Sequence, residues 1–193
     1  YFNSEDYIFE NLNLTLEKNK HTVITGPNGS GKSTLLGLIS KVFYPESGTI
    51  STYTDKVGYV GVTPLILNGT LRDNFLYGNK LAKTDQELTN MMNQFELFSN
   101  TEVNLDYVVN NKTLSSGQMQ KVSFIRSLLA DVELLLLDES TSNLDISSRQ
   151  LIFNILQSKN ITIINSTHNH EDFSYDNHLK IVLKEDSREI LSN

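Results

Sequence analysis

Apolar residues recur along this chain with two different periods. Leu12-Asn-Leu-Thr-Leu16 alternates as a half-buried strand does, Lys18-Asn19 makes a turn, and Thr22-Val-Ile-Thr25 follows, so a hairpin is predicted here. From Ser33 the spacing lengthens to that of a helix reaching about Phe43, stopped before Tyr44-Pro45. Ser47-Gly48 turns into a short strand near Thr49-Ile50, and Lys56-Val-Gly-Tyr-Val60 follows as another. Between about Thr70 and Asn111 the texture becomes polar and Asn-rich, with Leu88, Met91, Met92, Phe95 and Leu97 at helical spacing. Val122, Ile125 and Leu129 continue that period, so an inserted helical lobe over about 70–130 is expected. Val132 to Leu137 reads as a buried strand, Ser147 to Gln157 as a helix, Ile161 to Asn165 as a strand, and Leu179–Leu183 with Glu189–Leu191 as a closing hairpin. Strands alternating with helices imply an α/β fold with a mainly parallel sheet, an antiparallel β subdomain and the helical insertion.

Composition narrows this picture in a few places. A length of 193 residues with 38% hydrophobic content suits one domain with a sizeable core. A net charge of −7 argues against a nucleic-acid partner, because binding a phosphate backbone calls for clustered Lys and Arg. There is no cysteine, which excludes disulfides and thiolate metal sites. No apolar run approaches the length of a spanning helix, and the chain opens at Tyr1 within a pattern already under way, as a piece of something longer does.

The segment Gly26-Pro-Asn-Gly-Ser-Gly-Lys-Ser-Thr34 sits between the apolar run 21–25 and the helical run 35–39, and fits G-x-x-x-x-G-K-[ST] in its required strand-to-helix context. Phosphate oxygens need several backbone N–H donors at close range. Gly26, Gly29 and Gly31 let the backbone approach, with Asn28 and Ser30 completing the loop, and the following helix points its N-terminus at the anion. Lys32 can reach the β and γ phosphates as a flexible cation, while the Ser33 hydroxyl, next to Thr34, suits a hydrated Mg²⁺. The core is therefore a P-loop nucleotide-binding one.

Two further segments gain meaning beside that loop. Leu114-Ser-Ser-Gly-Gln118 opens a helix and offers hydroxyl and N–H donors, although by itself it is also an ordinary N-cap. Leu134-Leu-Leu-Leu-Asp138-Glu139 delivers two carboxylates at the C-terminal end of an apolar strand, where ligands gather in open α/β sheets. Asp138 can hold the Mg²⁺ shell, and Glu139 can orient or deprotonate the attacking water.

The order of these three, with Ser142-Asn-Leu-Asp145 next and Thr167-His168 beyond the following strand, resembles the nucleotide-binding domain of an ABC transporter over nearly all of 1–193. In that resemblance GPNGSGKS corresponds to Walker A, LSSGQ to the LSGGQ signature, LLLLDE to Walker B, SNLD to the D-loop and His168 to the switch histidine. It implies a second nucleotide-binding domain, identical (a homodimer) or different (a heterodimer), paired head to tail around ATP and Mg²⁺, with Ser115, Ser116, Gly117 and Gln118 closing on the ATP of the partner. Lys32, Glu139 and His168 would form the hydrolytic set, Ser33 and Asp138 the metal set, and Tyr1 the adenine-stacking aromatic. The membrane domain of the same transporter lies outside this chain, and the implied location is the cytoplasmic face of the cell membrane. Asn68-Gly-Thr-Leu-Arg-Asp-Asn74 resembles the exporter form of the segment that meets the membrane helices.

Three departures accompany the resemblance. Val62 stands where the family has a glutamine, and valine can neither ligate Mg²⁺ nor hydrogen-bond water, so either coupling is altered or a neighbour such as Thr63 substitutes. Ser116 replaces a signature glycine, adding a hydroxyl and a Cβ. Val108-Val-Asn-Asn-Lys-Thr113 lacks the acidic, Gly-containing segment that many exporters carry before the signature. The expected function is an ATPase driving export of an unidentified substrate. The alternatives are a slow-turnover ATP-dependent switch and a soluble ABC protein of translation or chromosome work.

Overall fold

The computed structural model describes residues 7–98, 103–168, 170–172, 174–184 and 188–192. Eight strands and five α-helices follow in the order β1 (His21–Thr25), α1 (Lys32–Ile39), β2 (Val57–Val60), β3 (Gly69–Thr70), α2 (Leu71–Leu76), α3 (Asp85–Gln94), β4 (Val108–Val109), α4 (Ser116–Leu129), β5 (Leu134–Asp138), α5 (Ile146–Gln157), β6 (Thr162–Ser166), β7 (Asn177–Leu183) and β8 (Arg188–Ser192). The main sheet runs β2-β5-β6-β1-β7-β8. It is parallel from β2 to β7 and ends in the antiparallel β7–β8 hairpin, while β3 and β4 pair antiparallel as a separate small ribbon.

Because successive side chains of a strand point to opposite faces, the five buried residues of β5 serve two cores. Leu134 and Leu136 join Ile24, Ile164, Leu179 and Ile181 under Leu35 and Leu36 of α1. Leu135 and Leu137 join Val60 and Ile163 on the other face, covered by Val122, Phe124 and Ile125 of α4 and by Ile152, Phe153 and Leu156 of α5. Leu71 and Phe75 of α2, Leu88 of α3, Phe95 and Leu97 extend this second core outward from the sheet. Since β2, β5, β6 and β1 run parallel, their C-terminal ends share one edge, with Asp138 in register with Ser166, and Ser166 with Ile24.

The predicted hairpin between 12–16 and 22–25 does not form. Both edges of β1 are taken by parallel partners, β6 and β7, so the ladder has no place for residues 12–16, which run as irregular chain with Leu14 and Leu16 against the α1-side core. Thr49-Ile50 is not a strand either, since every residue from 41 to 51 is exposed and the segment has no face to bury. Helix α1 stops at Ile39 rather than near Phe43: Lys41 turns left-handed at φ 61°, and the Val42 and Phe43 amides both donate to the Gly37 carbonyl at 3.0 Å. Gly37 is required there, because a Cβ would lie 2.3 Å from the Phe43 ring.

Buried His21, at the start of β1, stacks on Phe153 at 5.9 Å between centroids. Burial pushes its pKa from 6.5 down to about 4, against the opposing pull of Asp176. The unfolded chain therefore takes up the proton first, and the stability present above pH 6.5 drains away as pH falls from 6.5 toward 4. Urea unfolding should show a loss of about 2 kcal/mol from this group between pH 7 and pH 5. His21→Gln should lose that much less stability over the same interval.

Candidate functional site

Strand β1 ends at Thr25, and the chain makes a tight glycine loop into α1. A Cβ on Gly26 would lie 2.8 Å from both the Ile181 carbonyl oxygen and Ser30 Oγ. Gly31, the residue preceding the helix, has φ 102°, and a Cβ there would lie 2.8 Å from Ile8 and 2.9 Å from Phe9. No side chain caps α1 among the described residues, and its first turn carries no acid, which leaves its leading N–H groups without a side-chain cap. Asn28, Gly29 and Ser33 are exposed around this loop, Thr34 is half-buried and Ser30 is buried.

Lys32, 5% exposed, donates to the carbonyls of Gly26 at 3.0 Å and Pro27 at 3.1 Å. Its ammonium also lies 3.9 Å from the Glu139 carboxylate, which in turn lies 3.2 Å from His168 Nε2. The three residues predicted for hydrolysis therefore converge, although 29 positions separate Glu139 from His168 and more than a hundred separate it from Lys32. What aims Glu139 is its backbone: β5 ends at Asp138, and Glu139 adopts φ 49°, a left-handed conformation that a glutamate takes only at a cost of about 1–3 kcal/mol. Its amide donates to the Ser166 carbonyl at 2.8 Å and its carbonyl accepts from the Ser142 amide at 3.2 Å, which pins the turn. The carboxylate is thereby held between two nitrogen groups at the shared strand edge.

Asp138 precedes it and is 7% exposed. One oxygen, Oδ2, accepts a hydrogen bond from the Tyr59 hydroxyl at 2.7 Å. The other, Oδ1, is buried without a hydrogen-bond partner among the described residues. A buried carboxylate oxygen in that condition fits a cation or the water shell of one.

The signature segment lies elsewhere. Ser115 caps α4, accepting from the Gln118 amide at 3.2 Å, while Gln118 Oε1 accepts from the Ser115 amide at 2.9 Å in a reciprocal capping box. The Gln118 Nε2 group donates to the Leu97 carbonyl at 3.2 Å, and Lys121 donates to that of Glu96 at 3.1 Å. Ser116 is exposed at the first turn, and Gly117 is roomy, with Leu144 Cδ2 3.5 Å from where a Cβ would be. Helix α4 packs on α2 and on β2, and β2 stands three strands from β1, roughly 14 Å across the sheet. The signature residues are thus not brought onto the phosphate loop of their own chain. Tyr1 lies outside the described residues.

Two features escaped sequence reasoning. Tyr59 belongs to β2, where it looked like an ordinary alternating strand residue, and burial together with the Asp138 hydrogen bond and charge raises its phenol above the usual range. His178 of β7 lies 2.7 Å from the Thr25 hydroxyl just before the phosphate loop, with the His170 ring 4.9 Å away. Burial, then the neighbouring charges of His170 and Lys180, hold His178 below the ordinary histidine value. No local signal marks either pair, since each joins residues distant in sequence.

Residues 9–142 match the model of the family described as ABC transporter. The chain is 35% identical to the ATP-dependent permease MDL1 of Candida albicans, covering 85% of this chain and 27% of that protein. It is 32% identical to ABC transporter B family member 1 of Dictyostelium discoideum, covering 81% of this chain and 20% of that one. A solved structure of a bacterial Atm1-family ABC exporter with ATP bound superposes on 93% of this chain and 35% of its own, with a TM-score of 0.82 and 24% identity. The chain thus spans about a quarter of the length of these curated relatives. Among the described residues no helix is long and apolar enough to cross a membrane. With its phosphate loop, its carboxylate pair at the strand edge and its family match over most of its length, the chain belongs to the ABC transporter family, as an ATPase domain.

Proposed function

We propose that this domain, 1–193 with a helical subdomain over about 70–130, closes head to tail with a second such domain around ATP and hydrolyses it to drive export through a separate membrane domain. The observation that carries this reading is the convergence of Lys32 and His168 on the Glu139 carboxylate at the strand edge beside the phosphate loop. The Gly26–Gly31 loop and the uncapped N-terminus of α1 bind the phosphates, Lys32 holds the γ-phosphate, and Glu139 orients the attacking water and accepts its proton. His168 steadies that carboxylate and the departing charge. Ser33 and Asp138 would hold Mg²⁺, which when bound neutralises phosphate charge during transfer.

A second such domain, identical or different, is invoked because Ser115, Ser116 and Gly117 stand three strands from the loop they would close upon. Gln118, spent on capping α4 and holding Leu97, serves to shape that closing edge. A transmembrane partner agrees with the permease and transporter names of the relatives, and the proposed place is the cytoplasmic face of the cell membrane. The substrate belongs to the membrane helices.

Sedimentation of Glu139→Gln tests the pairing. With ATP and Mg²⁺ the variant should sediment as a dimer, and with ADP as a monomer. Monomers under both conditions rule the pairing out. A second reading, a slow-turnover switch that pairs around ATP but regulates a partner, is favoured by Val62 and Ser116, and predicts dimers from the unsubstituted chain that persist through prolonged incubation with ATP.

A further inference from the structure

The carboxylate of Asp138 is half engaged: among the described residues its one hydrogen-bond partner is the Tyr59 hydroxyl, at 2.7 Å on Oδ2, and Oδ1 is left buried and open. A phenol donating to one oxygen of a carboxylate does two things. It fixes the rotation of the carboxylate plane, so that the other oxygen points in one direction. It also partly neutralises the oxygen it touches, leaving the free oxygen as the better donor toward a cation.

The tyrosine is itself fixed from behind. Its ring lies close to Gly61, where a Cβ would come within 3.1 Å of Tyr59 Cε1, so a side chain there would press on the ring. The Gly61 carbonyl accepts from Gln120 Nε2 at 3.1 Å, and Gln120 is a fully buried residue of α4. An unbroken set of contacts therefore runs from Asp138 through Tyr59 and Gly61 to the helix that begins at Ser116. By contrast Val62 is exposed and has no polar side-chain atom, and Thr63 is exposed beside it.

We propose that Tyr59 is the positioning residue of the metal site, orienting Asp138 through its hydroxyl and tying that orientation, through Gly61 and Gln120, to helix α4. This rests on the reading of the site as one for ATP with Mg²⁺. It assigns to Tyr59 the polar link between nucleotide site and helical segment that Val62 cannot make.

Calorimetric ATP affinity of the full 193-residue chain, measured once with excess Mg²⁺ and once with EDTA, tests the assignment. Tyr59→Phe keeps the ring and removes only the hydroxyl, so affinity in EDTA should match the unsubstituted chain. The gain in affinity conferred by Mg²⁺ should shrink about tenfold, the lower end of what loss of a supporting group costs a metal site. Gly61→Ala, which presses a methyl on the ring, should shrink the Mg²⁺ gain too, but should add nothing in a Tyr59→Phe background. An undiminished Mg²⁺ gain in Tyr59→Phe overturns the proposal, as does an equal loss in EDTA, which marks a packing role. If the unsubstituted chain binds ATP no better with Mg²⁺ than with EDTA, the metal-site reading itself fails and the proposal with it.

Discussion

Glu139→Gln should bind ATP as tightly as the unsubstituted chain and hydrolyse it at least about a hundredfold more slowly, in the range that loss of a general base produces. Glutamine has the same shape and tolerates the left-handed backbone at φ 49° no worse than glutamate, so the turn pinned by Ser166 and Ser142 persists. What disappears is the anion lying 3.9 Å from Lys32 and 3.2 Å from His168. Without it the water near the γ-phosphate has no strong acceptor for its proton. Binding does not suffer, because the phosphates replace the lost negative charge beside Lys32. Phosphate release gives the rate and calorimetry the affinity, and turnover at the wild-type rate removes Glu139 from the chemistry.

Phe124→Ala should cost about 3–5 kcal/mol of folding stability, the usual price of truncating a buried aromatic. Phe124 is fully buried on the sheet side of α4 and stacks with Phe95, just beyond α3, at 6.4 Å and 24° between planes. Its loss opens a cavity where the sheet, α4 and the end of α3 meet, and the stack cannot be replaced because Phe95 is itself fully buried. In a domain of this size the melting temperature should fall by roughly 10 °C. Differential scanning calorimetry would show it, and an unchanged melting temperature would mean that α4 is not held by this contact.

Some of this architecture was legible because its signals are local. Strand, glycine loop and helix follow one another within 21–39, and Leu134–Glu139 announces both its burial and its carboxylates in six consecutive residues. The capping box of α4 is likewise written in four residues, Ser115 to Gln118. Strand pairing was not legible, because partners are chosen by the whole sheet. Leu12–Leu16 has the alternation of a strand, yet the partner it needed, β1, is claimed by β6 and β7 from far along the chain. The end of α1 depended on a left-handed Lys41 and on Phe43 folding back over Gly37, neither of which periodicity reports. Tyr59 meets Asp138 across 79 positions of sequence, and only the parallel neighbours β2 and β5 bring them together.

The same non-locality accounts for the division of labour across the molecule. Parallel strands gather Lys32, Asp138, Glu139 and His168 at one edge, while the helical segment carries Ser115–Gly117 away on α4. On the proposed reading, a chain built this way would hold a nucleotide on one side and offer a closing edge on another. Its chemistry should then depend on a second copy.

Steady-state ATP hydrolysis by the purified chain with Mg²⁺, followed across a wide range of protein concentration, tests that most directly. Turnover per chain should rise with concentration and then saturate, as two copies complete each other's sites, and Glu139→Gln should remove it throughout. Turnover per chain that is constant from the most dilute sample upward would mean that one copy suffices and that the site is not shared between two.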